Sequence, residues 1–289
     1  MPAVFHLCLT LAPEQIALPN TTALMYSPLQ LGIRYLRYYF KAANGKGHGV
    51  HSPFVFDFIT RVLNDDRSFY AYRSIENLRK LMLVDNREIV VEDMGAGSRV
   101  KKTNTRGIKD IARSSLKPQK FGQLLFRIVD HYAPATILEL GTSLGITTAY
   151  LASAKTGSTV ITMEGASAVA EQALANFNKL QLSNIKLVKG NFDETLPDTL
   201  SNNSRIDMAF LDGNHRYEPT MRYYHALLPA IHEYSIMIFD DIHWSAEMEQ
   251  AWEAIKADEH STLTIDLFFI GLVFFRKENK EKQHFTIRF

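Results

Sequence analysis

The stretch from Thr136 to Ala152, TILELGTSLGITTAYLA, constrains this chain more than any other. An apolar run, Ile137-Leu138-Glu139-Leu140, reads as a buried strand. It ends at Gly141, passes through Thr142-Ser143-Leu144-Gly145 and opens a helical pattern at Ile146. Strand, glycine turn and helix form the crossover of nucleotide-binding sheets, in which N–H groups at a helix N-terminus face the ligand. The spacing departs from G-x-G-x-x-G, because Ser143 stands at the middle glycine position and Gly145 follows two residues later. Glu139, just before the turn, would repel a pyrophosphate and suits a cationic or amine-bearing ligand.

The pattern downstream is regular. Phe121, Leu124, Leu125, Ile128 and Val129 mark an amphipathic helix leading into the first strand. Strands follow at 159–163, 185–188, 206–211 and 235–239, alternating with helices. Two β-rich runs, 262–269 and 271–275, are too closely joined to be parallel and predict an antiparallel pair. The expected fold is α/β: a Rossmann-like, seven-stranded, mostly parallel sheet with an antiparallel last strand and helices on both faces. His284 to Phe289 reads as one further edge strand.

The expected organisation is a weakly ordered leader over 1–25, a helical N-terminal cap and substrate region over 26–118, and a sheet domain over 119–289. A helix starts at Ser27-Pro28, a cap followed by a first-turn proline. Its stripe of Leu29, Ile33, Leu36 and Phe40 predicts the packed face, opposite Arg34, Arg37 and Lys41. The same stripes also describe a surface for a lipid or an anionic substrate. Residues 42–53, with His48 and His51, read equally as a lid or a plain turn. A second strand-acid-glycine stretch, Ile89 to Ser98, lacks a following apolar strand and reads as a loop or short hairpin, with a cationic tail of Arg99, Lys101, Lys102 and Arg106.

Acids stand at the strand ends: Glu139, Glu164, Asp212, Asp240 and Asp241. Ligands of open parallel sheets bind beyond those ends, and buried charges there need partners. Glu164 stands where an acid accepts hydrogen bonds from ribose hydroxyls. His215 and His243 follow the fourth and fifth strands, and either imidazole suits a general base near neutral pH. Trp244 and Tyr217 could wall the same space.

Glu139-x-Gly141-x-x-x-Gly145 after a strand resembles motif I of the class I S-adenosylmethionine-dependent methyltransferases, particularly the small-molecule O-methyltransferases. Phe210-Leu211-Asp212-Gly213-Asn214-His215 and Phe239-Asp240-Asp241-Ile242-His243-Trp244 are similar to that family's acidic loops, and the likeness spans about residues 119–276. The stretch Asp240 to Ser245 also resembles a Bacteroidetes-type group of such enzymes. The resemblance implies S-adenosylmethionine as cofactor, with Glu139, Gly141, Thr142, Ser143 and Gly145 around its methionine part. It places the ribose at Glu164 and Gly165, the adenine side at Asn191 and Phe192, and Asp212 beside the cofactor. It further implies methyl transfer to an oxygen of a small-molecule acceptor, with Asp212, His215, Asp240 and His243 as catalytic candidates. In metal-dependent members the positions of Asp212, Asp240 and Asp241 bind Mg²⁺, and three carboxylates suit such a hard cation. Asp241 departs from that pattern, which has a neutral amide there.

Other readings stay open: a non-catalytic binding protein on the same fold, or an RNA methyltransferase if Arg34, Arg37, Lys101 and Lys102 form one basic face. Lys+Arg of 32 against Asp+Glu of 31 gives no global field for nucleic acid. A nucleotide-binding oxidoreductase lacks its phosphate loop. A single cysteine, Cys8, permits no internal disulfide and fits a cytoplasmic setting. The apolar patch near the start is broken by Pro13 and Glu14, which suits neither signal peptide nor membrane span. A homodimer is compatible with all of this.

Overall fold

The computed structural model describes residues 25–93 and 102–289. The expected leader up to residue 24, and Gly95, Gly97, Arg99 and Lys101 of the second glycine stretch, lie outside the described residues.

Helix α1 (Pro28–Lys41) starts where the sequence signals it. Ser27 and Gln30 form a reciprocal capping box, and Pro28 fills the first turn. Its packed side differs from expectation. Leu29, Leu36 and Phe40 are exposed, whereas Tyr38 is buried and packs with Leu31 and Tyr35 against Phe268 and Phe269. Aromatic contacts with the late turn at Phe268 and Phe269 outweigh the aliphatic stripe. Helix α2 (Pro53–Phe58) runs on through a π-helical turn, Ile59–Leu63. Val55, Phe58, Ile59 and Val62 are buried in the same cluster as Leu124, Ile137 and Leu272, so this segment shares the core of the sheet. Residues 42–53 dock on the C-terminal strand instead, with Ala43 N–H donating to Thr286 at 2.8 Å.

Helix α3 (Tyr70–Leu83) precedes an antiparallel hairpin, β1 (Glu88–Asp93) and β2 (Lys102–Gly107), then α4 (Ile108–Ser115) and α5 (Gln119–Tyr132). The expected helical region therefore also carries a two-stranded sheet, separate from the large one.

The large sheet begins with β3 (Thr136–Leu140), followed by α6 (Ile146–Ala154), β4 (Thr159–Glu164), α7 (Ser167–Lys179), β5 (Ile185–Lys189), α8 (Phe192–Ser201), β6 (Met208–Leu211), α9 (Tyr217–Leu227), β7 (Ile236–Asp240) and α10 (Ala246–Ala257). Strands β8 (Leu263–Asp266), β9 (Ile270–Phe274) and β10 (Gln283–Thr286) complete it. The order is β10-β8-β9-β7-β6-β3-β4-β5, with β9 antiparallel to both neighbours and the other pairings parallel. The described sheet has eight strands: the seven expected and, at its edge, the further strand read over His284 to Phe289. The reversed strand is followed by β10, which pairs in parallel with β8 and covers that edge. No helix among the described residues is long and apolar enough to cross a membrane.

Alternation along the strands feeds two cores. Ile137, Val160, Met208 and Ile238 point to one face, and Leu138, Ile161, Ala209 and Met237 to the other. Strand order reverses beside β3, which has β4 on one side and β6 on the other. That is the switch point at which such sheets bind ligands.

Helices α5 and α6 brace the crossover through Gly122. A Cβ at this position would lie 2.5 Å from the ring of the fully buried Tyr150. Overpacking there has no room to relax, so Gly122→Ala should cost about 1–3 kcal/mol in urea unfolding. An unchanged midpoint would mean that α5 and α6 pack more loosely.

Candidate active site at the switch point

The turn after β3 is shaped by contact with the turn after β6. Gly141 has φ +106°, and a Cβ there would lie 2.1 Å from the Asp212 carbonyl oxygen, so no side chain fits. Gly141 and Thr142 N–H groups both donate to Met163 at 3.0 and 3.1 Å, and Asp212 N–H donates to Leu140 at 2.9 Å. Backbone bonds thus tie the ends of β3, β4 and β6 together.

Beneath this turn Glu139 is fully buried. One of its oxygens accepts from Thr148 Oγ1 and from Thr162 Oγ1, the latter at 2.6 Å. Thr162, having spent its proton, accepts in turn from Thr142 Oγ1 at 2.6 Å. The other oxygen, Oε1, has no partner. Burial pushes the carboxyl up to about 8, against the hydroxyl hydrogen bonds that favour its charged form.

Above the turn opens a cleft of about 560 Å³, within the usual range for small-molecule sites. Gly141, Ser143, Glu164 and Phe192 line it together with Asp212, Gly213, His215, Asp240, Asp241 and Trp244. Glu164 accepts from Ser143 N–H at 2.8 Å and Ala166 N–H at 3.0 Å. Each oxygen keeps further acceptor capacity toward the cleft. Burial raises its pKa, and those N–H groups oppose the rise. Burial likewise raises that of Asp212, opposed by the charges of Lys117 and His215. His215 Nε2 lies 3.7 Å from Asp212 Oδ1.

The structure brings most of the expected residues together and separates others. Thr142, Gly145, Gly165 and Asn191 do not line the cleft. Thr142 is buried in the threonine network, Gly145 packs on Phe177, and Asn191 caps α8 by accepting from Asp193 N–H. Glu139 supports the floor from below rather than facing a ligand. His243 is also displaced from its expected role. Its Nε2 meets Asp266 at 2.8 Å, its Nδ1 meets Glu249 at 3.1 Å, and its ring stacks on Phe268. With both nitrogens engaged and no place on the cleft wall, it holds α10 to the β8 end. Tyr217 does not line the cleft, whereas Trp244 does.

Sequence reading missed the rest of the lining, Ser114 to Pro118, Phe121 and Phe269, of which Ser115 Oγ lies 2.8 Å from Ser143 Oγ. Lys117 is the chief omission. Its ammonium is in ion-pair contact with Asp240 and lies 3.6 Å from Asp241 Oδ1. Apart from that pair, neither oxygen of the buried Asp240 has a hydrogen bond. The donor atoms that converge within 4.8 Å are those of Asp212, His215 and Asp240, without Asp241. With a lysine already on Asp240, this arrangement does not fit Mg²⁺ held by the three aspartates. The Lys117-Pro118 dipeptide before α5 was the one local signal, and it says nothing of what the lysine meets.

Residues 138–242 match a family model described as a methyltransferase domain. The transmembrane O-methyltransferase homologues of mouse and rat are each 36% identical, over 127 and 119 residues. These alignments cover 40% and 37% of this chain and 48% and 45% of the relatives, so the chain spans about half the length of the curated relatives it matches. An SAH-bound methyltransferase from Podospora anserina superposes with a TM-score of 0.55 at 13% identity, over 78% of this chain and 97% of its own. An O-methyltransferase from Bacillus cereus in complex with SAH gives 0.51 at 16%, over 76% and 97%.

The Glu139 carboxyl, near 8 in the fold and about 4.5 when unfolded, binds its proton more tightly in the native state. Its contribution is therefore complete below the unfolded value and is lost as pH rises through about 8, at up to about 1.4 kcal/mol per pH unit. Glu139→Gln should flatten the decline between pH 5 and 8 in denaturant titrations. Parallel profiles would mean that Glu139 is ionised in the fold. From sheet order, switch-point cleft and superposition together, the chain has the Rossmann-like fold of the class I methyltransferases, with the family match confined to residues 138–242.

Proposed function

We propose that the protein is an S-adenosylmethionine-dependent methyltransferase acting on an oxygen of a small-molecule acceptor. The observation that carries this reading is one cleft with two chemically distinct ends. At one end Glu164, fixed by two backbone N–H groups, faces the space beside Phe192. At the other, His215 and Asp212 stand near Lys117, Trp244 and Phe269.

The residues fit the cofactor. Glu164 can accept from a pair of ribose hydroxyls, Phe192 offers a ring for a base, and the acids favour an amine and a sulfonium. When bound, S-adenosylmethionine supplies a methyl group on a sulfonium, which passes to the acceptor oxygen while the S–C bonding pair stays on sulfur. His215 Nε2 takes the proton of the acceptor hydroxyl as the oxygen attacks. Asp212, 3.7 Å away, favours the imidazolium that results. The fixed strand ends supply alignment, which is the main demand of an in-line displacement.

Residues 119–289 provide the cofactor side in this reading, and residues 26–118 contribute to acceptor choice through Ser114 to Pro118. Leu116, Pro118, Phe121, Trp244 and Phe269 favour an acceptor with an apolar or aromatic body. The RNA alternative loses a member of its basic face, because Arg34 pairs with Glu249 at 2.6 Å. The Asp240 to Ser245 stretch supports kinship with the Bacteroidetes-type group, and the single cysteine a cytoplasmic setting.

Calorimetry with S-adenosylmethionine and S-adenosylhomocysteine tests this reading. Micromolar binding is expected, weakened at least tenfold by Glu164→Ala and little changed by His215→Ala. With a hydroxylated aromatic acceptor, His215→Ala should lower turnover by 10²–10⁴-fold. A folded protein that binds neither ligand would sink the proposal.

A further inference from the structure

We propose that Lys117 is the resident cation of this cleft, standing among the carboxylates in the place a divalent metal would take, so that the acceptor end works without one. The inference rests on the methyltransferase reading only for what the cation does. That the position is filled rests on geometry alone.

Three carboxylates, Asp212, Asp240 and Asp241, meet at the acceptor end of the cleft. Asp240 is the extreme case, with a side chain that is fully buried and has no hydrogen bond apart from its ion pair. An isolated buried carboxylate is costly and demands a positive partner. Lys117 supplies it from the segment between α4 and α5, in contact with Asp240 and 3.6 Å from Asp241, its own side chain only 12% exposed.

The lysine is held there by its flanks. On one side Leu116 N–H closes α4 on Ala112. On the other Pro118 restricts the backbone, and its carbonyl accepts from Phe121 and Gly122 N–H at 3.0 and 3.3 Å. The side chain therefore reaches inward from a fixed point between two helices. A magnesium ion bound to Asp240 would sit about 2 Å from its oxygen and so beside the ammonium. Two cations at that spacing repel strongly in a partly desolvated site. Lysine and metal are thus alternatives at Asp240.

The ammonium carries three N–H donors and meets Asp240 and Asp241 as ion pairs. A donor turned toward the cleft can face an acceptor oxygen, where a fixed positive charge favours the developing anion while His215 takes the proton. The acceptor body would then meet Trp244 and Phe269.

Metal-stripped wild type, Lys117→Ala and Lys117→Arg should be titrated with Mn²⁺ and followed by electron paramagnetic resonance, with circular dichroism confirming the fold. S-adenosylhomocysteine binding should be measured on the same samples. Lys117→Ala is expected to open a Mn²⁺ site at least tenfold tighter than any in wild type or Lys117→Arg. Equal Mn²⁺ affinity in all three proteins, or none in any, would overturn the proposal. Loss of S-adenosylhomocysteine binding in every sample would count against the methyltransferase reading and leave the Mn²⁺ comparison standing. Where methyl transfer is measured, wild type should keep its rate in EDTA, and an EDTA-sensitive wild type would also overturn the proposal.

Discussion

The structure depends on how closely two strand ends approach. The turn after β3 meets the turn after β6 so tightly that hydrogen is the only side chain Gly141 can carry against the Asp212 carbonyl. This contact sits where strand order reverses, and it makes the cleft. It turns Ser143 toward Glu164 on one side and sets Asp212 and His215 on the other. The backbone bonds from Gly141 and Thr142 to Met163, and from Asp212 to Leu140, keep those walls from separating. A cleft defined by main-chain contacts can change its side chains without losing its shape.

The acids around that contact share a chemistry but not a partner, and the partner sets the role. Glu139, below the turn, is satisfied on one oxygen by neutral hydroxyls, and burial pushes its pKa up to about 8. Glu164 is held by backbone N–H groups and keeps accepting capacity toward the cleft. Asp240 has a full positive charge against it. Three strand-end carboxylates in one small region would repel one another if treated alike. They coexist because one is pushed toward its neutral form, one is solvated by N–H dipoles and one is paired with an ammonium.

Much of this was legible in the sequence, for a reason that also sets its limit. Strands, helices and the strand-end acids follow from local periodicity and from the rule that ligands lie beyond the strand ends. Gly141, Ser143, Glu164, Asp212 and His215 stand at those ends, Phe192 came from the family resemblance, and all line the cleft. Glu139 and His243 occupy positions with the same local signature, but their neighbours come from elsewhere in the chain: Thr162 for one, Glu249 and Asp266 for the other. The outward stripe of α1 was misread similarly, since its inner face is chosen by Phe268 and Phe269. Lys117 was invisible because an exposed lysine and a buried one look identical in a polar connection. The further edge strand read at His284 to Phe289 is present as β10, but its partner, β8, follows from packing that no local pattern encodes.

The two walls of the cleft come from different parts of the chain, and this bears on how the site can vary. The cofactor side is built by consecutive crossovers, β3 through β6, locked by Gly141. The acceptor side is assembled from distant pieces: the α4–α5 segment with Lys117, the turn after β7, and the β8–β9 turn with Phe269. Its joints carry backbone strain, with Asp241 at φ +53° and Phe268 at φ +71°. Asp241 is held in that conformation by its N–H bond to Phe269 at 2.6 Å, and its carbonyl accepts from Trp244 N–H at 2.9 Å. A substitution in the β8–β9 turn therefore acts on the position of Asp241, and through it on Lys117, without touching Glu164. The walls are not independent everywhere: Ser115 Oγ lies 2.8 Å from Ser143 Oγ, so a change in the α4–α5 segment reaches the turn after β3, whereas one in the β8–β9 turn acts through Asp241.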